Sequence, residues 1–172
     1  PINNQNQPEA EEQYNHYLKE IEPELDHNEE QIREWLELNQ DAPLISVIIP
    51  TYNTNSNHLR ECIESVCRQS YPNWELCICD DSSSAASVQT ILKSYQSLDP
   101  RIKLIFREKN GHICEASNDA LSLATGEYVA LLDHDDILAD NALYWVACEL
   151  QKKPQANLIY SDEDKVNDDG IR

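Results

Sequence analysis

The clearest pattern along the chain is an alternation of short apolar runs with amphipathic stretches. Leu44-Ile45-Ser46-Val47-Ile48-Ile49-Pro50 is nearly continuous and β-branched, which predicts a strand buried on both faces of a parallel sheet. Leu59, Cys62, Ile63 and Val66 then recur at i, i+3, i+4, i+7, the signature of a helix, which ends near Tyr71-Pro72. A second strand, Glu75 to Cys79, closes on Asp80-Asp81-Ser82-Ser83-Ser84. A short helix around Val88 to Tyr95 leads through Asp99-Pro100 to a third strand, Ile102 to Phe106. The next helix spans about Ile113 to Ala124, with Ile113, Ala116, Ala120 and Ala124 inward and Gly126 as its C-terminal cap. Tyr128 to Leu132 forms a fourth strand, Asn141 to Lys152 a helix that stops before Pro154, and Leu158-Ile159-Tyr160 opens a last strand. Such alternation predicts an α/β fold with a doubly wound, mostly parallel sheet and right-handed crossovers.

Before Pro43 the pattern differs. Residues 1–8 are polar, and from Glu9 to about Asn39 the periodicity is helical. Tyr14, Tyr17, Leu18 and Ile21 make one apolar stripe, Pro23 interrupts it, and Ile32, Trp35, Leu36 and Leu38 make a second. The chain therefore divides into an N-terminal helical extension, residues 1–42, and an α/β part, residues 43–172. Whether the extension packs on the main domain or is a solvated acidic appendage stays open. The chain starts at Pro1 and holds no methionine, as expected of a piece of a longer protein.

Charge narrows the partners. The net charge is −19, and residues 1–43 alone hold 12 acidic against 2 basic residues. That balance excludes nucleic acid, whose phosphates need Lys and Arg. It is compatible with a nucleotide, because a divalent cation can bridge carboxylates to a diphosphate. No apolar run approaches the roughly 20 residues of a membrane-spanning helix, and no signal-peptide pattern opens the chain. Six cysteines occur without a C-x-x-C pair, and buried free thiols in a reducing compartment are expected.

In parallel sheets ligands bind beyond the C-terminal strand ends, and three of those ends carry candidate chemistry. The first delivers Pro50-Thr51-Tyr52-Asn53, where Tyr52 could stack on a planar base. The second delivers Asp80-Asp81, able to accept a hydrogen bond from a base N–H and without an obvious basic neighbour in sequence. The fourth delivers Asp133-His134-Asp135-Asp136, where carboxylates two residues apart can offer oxygen ligands to a hard cation. Asx turns and a solvated acidic turn are the plainer readings of the last two. Lys109-Asn110-Gly111-His112 precedes a helix, so Gly111 could let the backbone approach a phosphate, or could simply mark a turn.

With these residues in place the chain resembles a family 2 glycosyltransferase of the GT-A (Rossmann-like) fold, from about Pro43 to Lys165. The resemblance rests on Ile45 to Asn53, on Cys79-Asp80-Asp81-Ser82-Ser83, on Asn110-Gly111 with Ala116 and Asn118, and on Ala124-Thr125-Gly126-Glu127-Tyr128 leading to Leu132 and the acidic cluster. It implies nucleoside contacts at Pro50, Thr51 and Tyr52, and base recognition by Asp81 with Asp80 beside it. It further implies that Asp133 and Asp135 form a D-x-D motif for Mn²⁺ or Mg²⁺, Asp135 the direct ligand and Asp133 nearer the ribose or a metal-bound water. Asn118 is expected to pack or position its helix. The activity implied is inverting transfer from a nucleotide sugar, by default a UDP sugar, to a glycan or lipid-linked acceptor, as in polysaccharide biosynthesis. The catalytic base is expected beyond Arg172, so this chain would bind the donor without completing transfer. A cytoplasmic location is implied, in the full-length protein peripheral to the inner face of the membrane.

Two other enzyme and signalling classes use acidic strand ends. A haloacid-dehalogenase-like phosphatase would employ Asp133 as nucleophile and Asp135 as acid, but expects Thr or Val where Ile137 stands. A phospho-receiver domain would use Asp80-Asp81 as its pocket. A non-catalytic nucleotide-binding module is the third alternative. Three glycines, widely spaced, cannot build the G-x-G-x-x-G of a dinucleotide dehydrogenase.

Overall fold

The computed structural model of the chain describes residues 29–161 and 163–165, together with His16 and Lys19. The first expected helix, before Pro23, lies outside the described residues. The elements run α1 (Glu29–Leu38), β1 (Ile45–Thr51), α2 (Ser56–Cys67), β2 (Trp74–Asp80), α3 (Ala86–Leu98), β3 (Ile102–Phe106), α4 (His112–Leu121), β4 (Tyr128–Leu131) and α5 (Ala142–Lys152). The strands form one sheet in the order β3-β2-β1-β4, parallel throughout. This is the doubly wound α/β fold expected from the alternation of runs.

Burial explains the composition of the two central strands. Every residue of β2 is buried, and in β1 only Pro50 is partly accessible. Strands covered on both faces read as continuous apolar runs because neither face meets water. Ile45, Val47 and Ile49 face one layer, packed with Leu59, Ile63 and Val66 of α2, Val88, Ile91 and Leu92 of α3 and Leu143 and Ala147 of α5. Ile48, Cys77 and Cys79 face the other, where α4 offers only Ala116 and Ala120. Small residues let α4 lie close to the sheet.

α1 belongs to the larger core. Ile32 is buried within it, Trp35 and Leu36 pack against it, and Trp35 meets the Tyr144 ring edge-on at 5.4 Å. Leu38, counted in the same stripe, is exposed instead.

Four expectations need correction. Ile113 is 60% exposed, because α4 rolls on its alanines and leaves its first turn in solvent. Gly126 does not cap α4, whose C-cap is Ser122. A Cβ on Gly126 would stand 2.5 Å from Leu44 O and 2.7 Å from Ser46 Oγ, so glycine is required there by close backbone approach. Leu158-Ile159-Tyr160 forms no strand; all three are exposed, and no described strand lies alongside them to complete a ladder. Among the cysteines, all free, Cys62, Cys77, Cys79 and Cys148 are buried as expected, while Cys114 is exposed.

At the N-terminal edge of the sheet a buried carboxylate gathers all four strands. Glu75 Oε1 accepts from the Ser46 hydroxyl at 2.7 Å, and Oε2 accepts from Lys103 Nζ at 2.6 Å and the Thr125 hydroxyl at 2.8 Å. The Thr125 and Gly126 N–H groups complete the set and lead into β4. Burial opposes the ionisation of Glu75, but the donors of Lys103, Thr125 and Ser46 outweigh it and hold the carboxyl at about 2.

A depressed carboxyl stabilises the fold above its unfolded value, and that contribution disappears as the carboxyl takes up a proton. For Glu75 stability is lost as pH falls from about 4.5 towards about 2. Glu75→Gln should cost about 2–3 kcal/mol at neutral pH and flatten the acid limb of stability between those values, as followed by urea unfolding.

Candidate functional site

The strand order reverses direction at β1: the chain moves outward through β2 and β3, then returns to place β4 on the other side. In doubly wound sheets the crevice beyond such a reversal receives the ligand. Here it is flanked by the loops after β1 and β4, with the loop after β2 next in line.

The first two loops are laced together. Asp80 stands beside Thr51 in the ladder, and Asp81 N–H donates to Thr51 O at 2.9 Å. Asn53, with φ of 50°, receives the Ser84 N–H on Oδ1 at 2.9 Å and gives its own N–H to Ser83 Oγ at 2.8 Å. Asn tolerates this left-handed conformation because its side chain bonds locally. The serines that follow Asp81 thus brace the corner that presents Tyr52. Tyr52 is about half exposed, its ring available to a planar group. Thr51 is buried, its hydroxyl is engaged with Thr54 Oγ1 at 2.6 Å and its carbonyl with the Asp81 N–H, so the expected nucleoside contact has no exposed polar group there. Pro50 is half-buried.

Asp80 and Asp81 divide their work. Asp80 is fully buried; its Oδ2 accepts from Ser83 N–H at 3.3 Å, while Oδ1 has no partner among the described residues. Asp81 is 2% exposed and does have a basic neighbour, which corrects the reading from sequence. Arg107, the first residue after β3, brings Nε to 3.0 Å from Asp81 Oδ1. Gly111 N–H donates to the same oxygen at 2.8 Å. Among the described residues Oδ2 accepts no hydrogen bond.

Gly111 N–H is therefore spent on Asp81 rather than held out to a phosphate. A Cβ at Gly111 would lie 2.6 Å from Arg107 Nη2 and 2.9 Å from Glu115 Cβ, so glycine permits the Arg107–Asp81 pair. Arg107 also pairs with Asp119 of α4. Asn118, expected to pack, is exposed on the same helix.

The acidic segment leaves β4 through Leu132, whose N–H donates to Ile48 O at 3.1 Å. Asp133, Asp135 and Asp136 are exposed and His134 is half-buried. Asp136 N–H closes a turn onto Asp133 O at 3.1 Å. Burial first, then the charges of Asp135, Asp133 and Glu163, push the Asp136 carboxyl above its ordinary value, with His134 opposing. Under this segment lies Cys62; burial, then Asp136, Asp135 and Asp133, push its thiol up to about 12. It is a neutral hydrogen-bond donor to Asp133 O at 3.4 Å, not a nucleophile. Among the described residues no three His, Cys, Asp or Glu side chains form a group that could hold a metal ion. The Asp133 and Asp135 carboxylates are hard oxygen donors, the type divalent cations take, and would need further oxygens from a diphosphate and water to hold one.

A cavity of about 310 Å³ lies elsewhere, lined by Trp35, Ala42, Pro43, Tyr128 and Leu150 at the N-terminal strand edge. It is remote from the loaded loops. No helix among the described residues is long and apolar enough to cross a membrane.

The model of the glycosyl transferase family 2 matches residues 46–166, a span that includes all three loaded loops. The chain belongs to this family. The protein y4gI of Sinorhizobium fredii (strain NBRC 101917 / NGR234) is 50% identical over 133 residues, 77% of this chain but 15% of that protein. S. aureus TarS 1–349, solved in complex with UDP-GlcNAc, is 31% identical with a TM-score of 0.56, covering 63% of this chain and 31% of that one. The mannosyltransferase PcManGT from Pyrobaculum calidifontis, solved with GDP-Man and Mn²⁺, is 25% identical with a TM-score of 0.55, covering 69% and 39%. These likenesses establish the GT-A, Rossmann-like fold, and nothing in them supports the phosphatase or receiver alternatives.

Arg107→Leu would strand Asp81 as a buried charge at a cost of about 3 kcal/mol. In a double-mutant cycle with Asp81→Asn, urea unfolding should return a coupling of at least about 1 kcal/mol. Additive effects would show that the pair is not energetically joined.

Proposed function

We propose that this chain is the donor-binding part of an inverting glycosyltransferase that uses a nucleotide-diphosphate sugar, by preference a UDP sugar, with Mn²⁺ or Mg²⁺. The observation that supports the reading is what the strand ends beside the sheet reversal carry: a half-exposed Tyr52 after β1, an Asp81 after β2 with one oxygen held by Arg107 and Gly111, and exposed Asp133 and Asp135 after β4. The complexes of TarS with UDP-GlcNAc and of PcManGT with GDP-Man and Mn²⁺ support it.

In this reading Tyr52 stacks on the base and Asp81 Oδ2 accepts its imide N–H, while Arg107 and the Gly111 N–H hold the opposite oxygen still. Fixing Oδ1 from two sides sets the direction of Oδ2 before the ligand arrives, which lowers the ordering cost of binding. Asp135 and Asp133 would hold the cation, which when bound neutralises the diphosphate and stabilises it as a leaving group. The acceptor hydroxyl and the base that takes its proton are not assigned to residues of this chain, which spans 15% of y4gI.

Calorimetric titration of UDP with and without Mn²⁺ tests the reading. UDP should bind about tenfold more tightly with Mn²⁺, a difference of about 1.4 kcal/mol. Asp135→Ala should remove that increment and leave Mn²⁺-free binding unchanged, whereas Asp81→Asn should weaken UDP under both conditions. If neither UDP, dTDP nor GDP binds, or if Asp135→Ala keeps the whole increment, the site assignment is wrong.

A further inference from the structure

The segment between β4 and α5, residues 132–141, contains no helix or strand, yet it carries the carboxylates of the proposed cation site. Its backbone polar groups need partners, and the last turns of α2 with the residues just past them supply these. Cys62 and Ser65 lie three residues apart on one face of α2, and Gln69 follows just past its C-cap Arg68. Cys62 Sγ donates to Asp133 O, as described above. The Ser65 hydroxyl donates to Cys62 O at 2.7 Å and accepts the Leu138 N–H at 3.1 Å. Gln69 Nε2 donates to Ala139 O at 2.7 Å and to Ser65 O at 3.1 Å, while Oε1 accepts the Leu143 N–H at 2.9 Å. A carbonyl on one side and an N–H on the other fix which end of the amide is which. Just beyond α2, Ser70 N–H donates to Asp140 O at 2.8 Å.

These bonds bracket Asp135 and Asp136 from both sides without touching their carboxylates. Ser65 is fully buried and Gln69 is 7% exposed, so both side chains are committed to the segment rather than to water. Gln69 also replaces a missing cap: Asn141, the N-cap of α5, makes no side-chain cap bond, and Gln69 Oε1 takes the Leu143 N–H in its place. Leu132 and Leu138 anchor the segment in the core by packing, and these bonds fix its backbone between them.

We propose that Gln69, assisted by Ser65, is a positioning residue that sets the reach of Asp133 and Asp135 towards a diphosphate-bound cation. The inference rests on the donor-site reading given above. Groups behind metal-holding carboxylates typically change metal affinity by about 10–100-fold when removed. Gln69 acts through the backbone of the segment, so its loss should lower cation-dependent binding and spare the base-binding end, which lies on the loops after β1 and β2.

The test is UDP titration of the chain with and without Mn²⁺ in the wild type, Gln69→Leu and Ser65→Ala, each first checked for a folded circular dichroism spectrum. Hydrogen exchange of the amides of residues 133–140 is followed in parallel. Gln69→Leu should remove part of the roughly tenfold Mn²⁺-dependent gain in UDP affinity that Asp135→Ala removes whole, leave Mn²⁺-free affinity unchanged and speed exchange in the segment. Ser65→Ala, which deletes one hydroxyl from the same set of bonds, should show the same pattern to a smaller degree and covers the case in which Gln69→Leu does not fold. A folded Gln69→Leu, or failing that Ser65→Ala, that retains the full Mn²⁺ gain overturns the positioning role alone. A wild-type chain with no Mn²⁺ gain overturns the donor-site reading and this inference together.

Discussion

The sheet is organised from below by Glu75. A carboxylate taken out of water is tolerated only when its oxygens are matched by donors, and here the donors come from all sides: Ser46 on β1, Lys103 on β3, and Thr125 and Gly126 just before β4. Each must be in place for the others to be worthwhile, so the interaction sets the relative heights of the strands as well as their neighbours. β4 makes only four residues of ladder with β1 and depends most on being delivered at the correct level. The glycine that allows this delivery, Gly126, lies against Leu44 and Ser46 with no room for a side chain.

The opposite edge uses a different economy. There the loops are held chiefly by side chains that bond to backbone, so that the outermost groups remain unspent. Asn53 with Ser83 and Ser84 fixes the Tyr52 corner, Arg107 with Gly111 fixes one oxygen of Asp81, and Gln69 with Ser65 fixes the acidic segment. In each case the group best placed to meet a ligand carries no internal bond at its free end. Groups presented this way are held in place by residues with no need to touch a ligand themselves.

Much of this was legible from sequence, and the limits have physical causes. The buried runs of β1 and β2, the helical stripe of α2 and the loading of three strand ends follow from periodicity, which reports burial directly. Ile113 and Leu158-Ile159-Tyr160 misled because hydrophobicity identifies what could be buried and not whether a surface is present to bury it. Gly126 misled because a glycine after a helix and a glycine at a close backbone approach look identical in one dimension. Arg107 carried a usable signal, as a lone cation immediately after a strand whose neighbours end in acids. Glu75 and Gln69 carried none, since a polar residue inside an apolar pattern does not name its distant partners. The assignment of bound base, cation and sugar lies beyond fold and burial alike.

The two faces of the sheet are covered unequally, with α1, α2, α3 and α5 on one and α4 alone on the other. Val129 and Leu131 of β4 face the thinly covered side and are 44% and 79% exposed. Among the described residues β4 has no strand on its outer side, so a row of backbone donors and acceptors is open beside those two side chains. Such an edge is a template for pairing with another chain. Copies of the chain share a net charge of −19, and their mutual repulsion, which salt shortens to about 8 Å at physiological strength, opposes such pairing. A net negative charge of this size opposes edge-to-edge pairing of β4 between copies of the chain, and that opposition vanishes near the isoelectric point of about 4.4.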